Sequence, residues 1–264
     1  MFASNAGSEK AAGKYISRMD ADDWAYPYKL EKQNDFLDKN PDYGVVAGLV
    51  KHVSNFEYTE GFARFVEWSN SIQTYEDIKN RRFIEQPVVN PTAMWRKKIG
   101  EKHGMYLHGD FPEDYEMWLR WLGNGVKIYK LSEIVLEWHD FESRLTRTNS
   151  IYSDRSFYNI KTKYLADWLK KYNPFYPNVV IWGAARISRR RAKLLEIYGV
   201  NIVSYIDTKK NRQIDKKVIF YKNIPSPNDI FILVYIKQMN TKKEIQSYLH
   251  RKGYLEGENY LFVS

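Results

Sequence analysis

Apolar positions along this chain switch between two periods. Tyr115, Trp118, Leu119 and Leu122 recur at i, i+3, i+4 and i+7, the spacing of one helical face. Pro112 suits the first position of that helix, which puts Glu113 and Asp114 in its first turn. Val126, Ile128, Ile134, Leu136 and Trp138 are spaced like short alternating strands, with His139 just past the last one. A short strand and a helix flank Asp20. Ser150 to Lys171 reads as a helix with Phe157, Ile160, Tyr164 and Leu165 apolar. A linker follows at Asn173-Pro174 and Tyr176-Pro177-Asn178.

Beyond the linker the pattern is strand, helix, strand. Val179 to Arg186 runs from a strand into a turn, and Ile187 to Tyr198 is helical with Gly199 as its C-terminal cap. Val200 to Ile206 is the second strand, ending at Asp207. Such a unit is Rossmann-like, with an acidic residue where ribose is often bound. Its phosphate-binding glycines are eroded to Gly183, Ala185 and Ser188. Ile230 to Ile236 is a third strand, Thr241-Lys242-Lys243-Glu244 a capping box opening a helix through Leu249, and Tyr260 to Val263 a last strand.

Composition narrows the reading. At 264 residues one or two domains are expected, with length for a sizeable core. The absence of cysteine excludes a disulfide framework and zinc-thiolate sites, and fits a reducing cytoplasm. No basic-then-apolar leader pattern opens the chain, and its longest apolar stretch is too short to span a bilayer. Residues 1–150 hold 20 Lys+Arg against 23 Asp+Glu, whereas residues 151–264 hold 21 against 9. This asymmetry points to two domains with different partners. The basic half is either a solubilising surface or a face for anionic lipid head groups, which allows a peripheral place at the inner membrane surface. Its Lys and Arg are scattered apart from Arg189-Arg190-Arg191, so nucleic acid is not expected as a partner.

The candidate chemistry begins at Asp20-Ala21-Asp22-Asp23, three carboxylates in four residues. Alone this is either a solvated turn, with Asp22 or Asp23 capping the next helix, or a place where a divalent cation holds a diphosphate. Glu113 and Asp114 are either acids complementing a helix dipole or a general base. His139 is either a packed residue or a ligand, and Arg144 and Arg147 either a solvated loop or a diphosphate grip.

Two spaced blocks decide between these. AAGKYISRMDADDW is followed by Pro27, Lys29-Leu30-Glu31, Gln33 and Asn40-Pro41-Asp42. Asn90-Pro91-Thr92-Ala93-Met94 precedes Gly104-Met105-Tyr106, then Phe111 to Arg120 with its Glu-Asp-Tyr, then Gly123-Asn124-Gly125. Over roughly residues 1–150 the chain resembles the family-2 glycosyltransferases. The resemblance implies an α/β fold: a partial GT-A mixed sheet over 1–150, a helix and linker over 151–177, and a Rossmann-like accessory domain over 178–264. It implies Asp114 as base with Glu113 beside it, Asp20, Asp22, Arg144 and Arg147 for the donor, and Asp22, Asp23 and His139 for Mn²⁺ or Mg²⁺. The activity implied is inverting transfer of a sugar from a nucleotide-sugar donor to a glycan or lipid-linked acceptor in polysaccharide synthesis. Family members carry uracil- and ribose-binding strands ahead of the acidic motif, and here Asp20 lies nineteen residues from Met1. The expectation is therefore a chain lacking most of that half, with a sheet edge open to self-association as a homo-oligomer. The alternatives are a non-catalytic binding or assembly module and a nucleotide sensor centred on residues 178–264.

Overall fold

The computed structural model describes residues 2–54, 60–142, 144–210 and 212–264. It falls into two compact units. The first is the chain up to Arg82 together with Gln86–Phe157, and the second is Phe83–Glu85 together with Tyr158–Ser264.

The first unit runs α1 (Phe2–Lys10), β1 (Tyr15–Ser17), β2 (Trp24–Ala25), α2 (Lys29–Lys39), β3 (Tyr43–Ser54), α3 (Glu60–Ser71) and α4 (Tyr75–Arg81). After a tight turn at Asn90–Thr92 come β4 (Met94–Arg96), α5 (Lys97–His103), α6 (Glu113–Gly123), β5 (Lys127–Asp140) and α7 (Leu145–Thr148). Among the described residues the sheet order is β1-β4-β3-β5-β2. The central pair β3 and β5 is parallel and the outer pairs are antiparallel. Strand β3 is apolar up to Val50 because both of its faces are covered there. Its alternate side chains split accordingly. Val45 and Ala47 pack with Trp95, Met117, Trp118 and Trp121, whereas Val46 packs with Leu37 and Met94. Trp118 and Trp121 meet edge to face at 5.5 Å between ring centres.

Helix α6 exposes the expected residues to the core and more. Met117 and Trp121 are buried as well as Tyr115, Trp118, Leu119 and Leu122. Pro112 stands one place earlier than expected, as the extended residue before the helix. The residues from 127 to 140 form one long strand rather than several short ones. Parallel pairing with β3 continues across the polar residues Ser132 and Glu133, accommodated by register shifts. His139 therefore lies inside β5, paired opposite Val53.

The second unit contains most of α8 (Asp154–Tyr172), then β6 (Asn178–Trp182), α9 (Arg186–Ala192), β7 (Asn201–Asp207), β8 (Val218–Phe220), β9 (Ile232–Val234), α10 (Met239–Arg251) and β10 (Tyr260–Phe262). Its five strands are all parallel, in the order β10-β9-β6-β7-β8. Numbered within the unit this is 3-2-1-4-5, the order of doubly wound sheets. The buried runs Val179–Trp182 and Phe231–Tyr235 are continuous, as strands covered on both faces require. Lys161 explains why Phe83–Glu85 joins this unit. Its buried ammonium donates to Ile84 O at 3.1 Å and to Val263 O at 2.9 Å.

Several boundaries differ from the sequence expectation. Helix α8 begins at Asp154, after a separate tight turn at Ser150–Tyr152. The helical stretch after β6 is α-helical only to Ala192 and tightens into a 3-10 helix over Lys193–Tyr198, closed by Gly199 at φ 78°. Strand β8 was not foreseen. It is three residues beside Lys216-Lys217, and pairing with β7 rather than local pattern makes it a strand. Helix α10 starts two residues ahead of the expected capping box. Lys242 N already donates to Gln238 O, so the first turn is closed before Thr241 could cap it.

Candidate active site

The acidic loop is shaped by the short strand β2. Trp24 pairs with Glu137 and Ala25 with Leu136, which lays Asp23 beside His139. Asp23 is only 5% exposed, whereas Asp22 faces solvent. Asp23 Oδ1 accepts the His139 backbone N–H at 3.1 Å, and Oδ2 is buried with no partner. Burial pushes the Asp23 carboxyl up to about 7, the His139 bond opposes this, and the charges of Asp20 and Asp22 add to it. Asp20 is held by Arg18 at 2.5 Å. Trp24 leaves the loop 73% exposed.

Helix α2 fixes this loop against the Asn90–Thr92 turn. Lys29 is buried and donates to Arg18 O at 3.0 Å and to Pro91 O at 2.7 Å. Gln33, fully buried, donates to Thr92 O at 2.6 Å. Burial lowers the Lys29 pKa to about 8, while Asp23 and Asp20 resist the shift.

The second acidic pair opens α6. Asp114 is half-buried; its Oδ2 accepts Gln86 Nε2 at 2.7 Å and its Oδ1 the Tyr115 N–H at 2.7 Å. Burial first, and the charge of Glu113 second, push the Asp114 carboxyl up to about 6. Glu113 accepts the Tyr152 hydroxyl at 3.0 Å. The Tyr152 phenol is raised by burial and by the charges of Glu113, Asp114 and Asp20 together. Tyr106, which donates to Asn90 Oδ1 at 3.2 Å, lies within reach of the charges of both Arg18 and Asp114. Charges of both acidic motifs thus act on the Tyr152 hydroxyl.

The third group sits at the end of β5. His139 Nε2 is buried without a hydrogen-bond partner and lies 3.9 Å from Glu137 Oε2. Arg144 donates to His139 O at 2.7 Å, stacks 4.2 Å from the Trp138 ring and acts on Asp23 through its charge. Arg147 is turned elsewhere. It pairs with the buried Asp140 at 2.6 Å and covers the Phe62 ring. Ser143 of the Ser-Arg-Leu-Thr-Arg stretch lies outside the described residues.

Asp20, Asp23, His139 and Arg144 thus come together, and Glu113 and Asp114 form a second group beside Tyr152, on which the Asp20 charge also acts. Gln86, Tyr106, Tyr152, Lys29 and Gln33 were not foreseen in these roles. Lys29, Gln33 and Tyr106 stand in the quoted motif blocks, but nothing local distinguishes a buried clamp from a helix-surface residue. Gln86 and Tyr152 carry no local signal, because their partners lie 28 and 39 residues away.

Among the described residues no three His, Cys, Asp or Glu side chains gather into a closed metal cage. The orphaned Asp23 Oδ2 and His139 Nε2, with the exposed Asp22 carboxylate next in chain, nonetheless suit a divalent cation in type. Hard carboxylate oxygens with an imidazole fit Mn²⁺ or Mg²⁺, which complete their shells with phosphate and water.

The model of glycosyl transferase family 2 matches residues 3–104. An uncharacterized glycosyltransferase of Methanocaldococcus jannaschii is 29% identical over 177 residues, covering 65% of this chain and 56% of that protein. The amylovoran biosynthesis glycosyltransferase AmsE of Erwinia amylovora is 26% identical, covering 60% and 58%. The UDP-Gal:alpha-D-GlcNAc-diphosphoundecaprenol beta-1,3-galactosyltransferase of Escherichia coli is 26% identical, covering 50% and 46%. The chain spans about half the length of these relatives. The curled mixed sheet and the separate parallel sheet are the α/β class that the glycosyltransferase resemblance implied. Among the described residues no helix is long and apolar enough to cross a membrane.

Proposed function

We propose that the first unit performs sugar transfer from a nucleotide-diphosphate donor to a hydroxyl acceptor in the synthesis of a glycan or surface polysaccharide. The observation that carries this is Asp114. A half-buried carboxyl pushed up to about 6, oriented by Gln86 and by its own helix, is matched to taking a proton near neutral pH. The names of the relatives support the reaction class, a nucleotide-sugar donor and a lipid-linked or polysaccharide acceptor.

In this reading the acceptor O–H gives its proton to the Asp114 carboxylate as its oxygen bonds to the anomeric carbon. The bond from that carbon to the diphosphate oxygen breaks on the opposite side, which inverts the configuration. Gln86 keeps Asp114 aimed, and Glu113 raises its basicity through charge. Asp22, Asp23 and His139 would hold Mn²⁺ or Mg²⁺ against the diphosphate. When bound, such an ion neutralises charge on the leaving group. Arg144 stands beside this group to receive phosphate oxygens, and the Trp24 indole offers a face to a sugar ring. The basic residues of 151–264 would bring the chain to an anionic membrane surface, where lipid-linked acceptors lie.

The test is to follow nucleoside diphosphate release from UDP- and GDP-sugars with Mn²⁺ and a lipid-linked acceptor. Transfer lost in Asp114→Asn, with donor binding kept, supports the reading. Equal transfer in wild type and Asp114→Asn contradicts it. Donor binding without transfer in wild type makes the chain a binding module instead.

A further inference from the structure

The parallel sheet of the second unit carries a cavity of about 860 Å³ at the carboxyl ends of its strands. It opens where β6 is flanked by β7 on one side and β9 on the other. This is the place in a doubly wound sheet where successive crossovers diverge and leave a crevice. Its size falls in the range of small-molecule sites.

The lining has a definite chemistry. Arg212, Lys222, Arg251 and Lys252 face it with only Asp207 and Glu244 as acids, so the cavity favours an anion. Trp182, Tyr221 and Tyr248 line it as well and form a continuous aromatic group. Tyr248 lies 5.9 Å from Trp182 and 5.5 Å from Tyr221 between ring centres. Tyr248 is fixed by donating to Tyr221 O at 2.9 Å. A flat ring can stack on such a group, and an anionic ligand bearing one is selected by both features.

Asp207 supplies the third requirement. It ends β7, and its Oδ1 accepts the Lys209 N–H at 2.9 Å while Oδ2 accepts Arg212 Nη1 at 2.6 Å. A carboxylate has about four acceptor positions and a guanidinium five N–H donors, so this pair keeps capacity on both sides. It can accept from vicinal hydroxyls and donate to phosphate at the same point, which is what a ribose phosphate presents.

The turn after β6 argues against a dinucleotide. Gly183 is at φ 127°, and a Cβ there would come within 3.1 Å of Tyr235 O and 3.2 Å of Ser188 Oγ. Its glycine is thus required by packing within the protein. Ser188 Oγ is itself bonded to Tyr235 O at 2.8 Å, and Ala185 carries a methyl group where a pyrophosphate would need bare backbone. The phosphate must lie among the cationic side chains instead.

We infer that this cavity binds a nucleoside mono- or diphosphate, with the ribose at Asp207–Arg212, the base on the Tyr221–Tyr248 rings and the phosphate among Lys222, Arg251 and Arg212. The inference is independent of the catalytic reading of the first unit. It is tested by calorimetry on the full chain with AMP, ADP, UDP and inorganic phosphate, in EDTA so that no divalent cation contributes. The expected result is binding of at least one nucleotide, at least a hundredfold tighter than phosphate. Asp207→Ala should weaken it tenfold or more, and Asp22→Asn should leave it unchanged. Should Asp207→Ala fail to fold, Lys222→Glu with Arg251→Glu, both exposed, must produce the same loss. The inference is overturned by no nucleotide binding in EDTA, by binding that survives the charge reversals, or by binding that Asp22→Asn removes.

Discussion

The two units solve opposite electrostatic problems with similar residues. In the first, Asp23 is buried with an unpartnered oxygen and Asp114 is pushed up to about 6. Both carboxyls are held where their charge is costly, and a proton or a cation relieves them. In the second, Asp207 sits at a strand end with Arg212 paired to it, among a surplus of cations. That carboxylate is already compensated, and the surrounding charge favours an anion. An acidic residue at a strand end therefore says little until its partners are known. The orphaned one calls for a proton or a cation, and the paired one is already compensated.

The largest expected effect separates the carboxylates of the first unit from one another. Asp114→Asn should lower turnover by about 10² or more with donor affinity nearly unchanged. Glu113→Gln should be milder, and a reversed order would move the base to Glu113. Turnover of the wild type should rise with pH through about 6, because the base works only when ionised. Removing the Glu113 charge takes away one cause of the raised pKa, so in Glu113→Gln this rise should occur at lower pH. A rise left in place, or moved upward, would break the assignment.

A smaller effect concerns the clamp beneath the site. Lys29→Met leaves Arg18 O and Pro91 O without their buried donor. Urea denaturation should show a loss of about 1–3 kcal/mol. An unchanged midpoint would mean that Lys29 does not hold the loop. Smaller still, and opposite in sign, Asp23→Asn should stabilise the protein by about 1–2 kcal/mol at pH 8. The folded pKa of Asp23 is raised to about 7 from an ordinary value near 3.8. Its penalty is therefore absent below about pH 4, grows as pH rises to about 7, and is constant above. The gain from Asp23→Asn should follow that course, and a gain that shrinks as pH rises would contradict the burial of a charged Asp23.

Much of this contrast was legible in the residues. The acidic motif, the apolar face of α6 and the strand-helix-strand pattern after Asn178 are local, and local periodicity reports them. Which aspartate is buried was not legible, because the pairing of Trp24 with Glu137 decides it across more than a hundred residues. Gln86 and Tyr152 escaped for the same reason. Lys29 and Gln33 carry no local mark of burial, and only the Asn90–Thr92 turn packed on them makes them interior. Strand β8 depends on its pairing with β7 rather than on its own three residues.

Calorimetry of UDP and GDP with Mn²⁺, on wild type, Asp22→Asn and Asp207→Ala, tests the division of labour most directly. A Mn²⁺-dependent component of nucleoside diphosphate binding should disappear in Asp22→Asn and persist in Asp207→Ala. A Mn²⁺-dependent component of equal size in wild type and Asp22→Asn, or one lost only in Asp207→Ala, would contradict it.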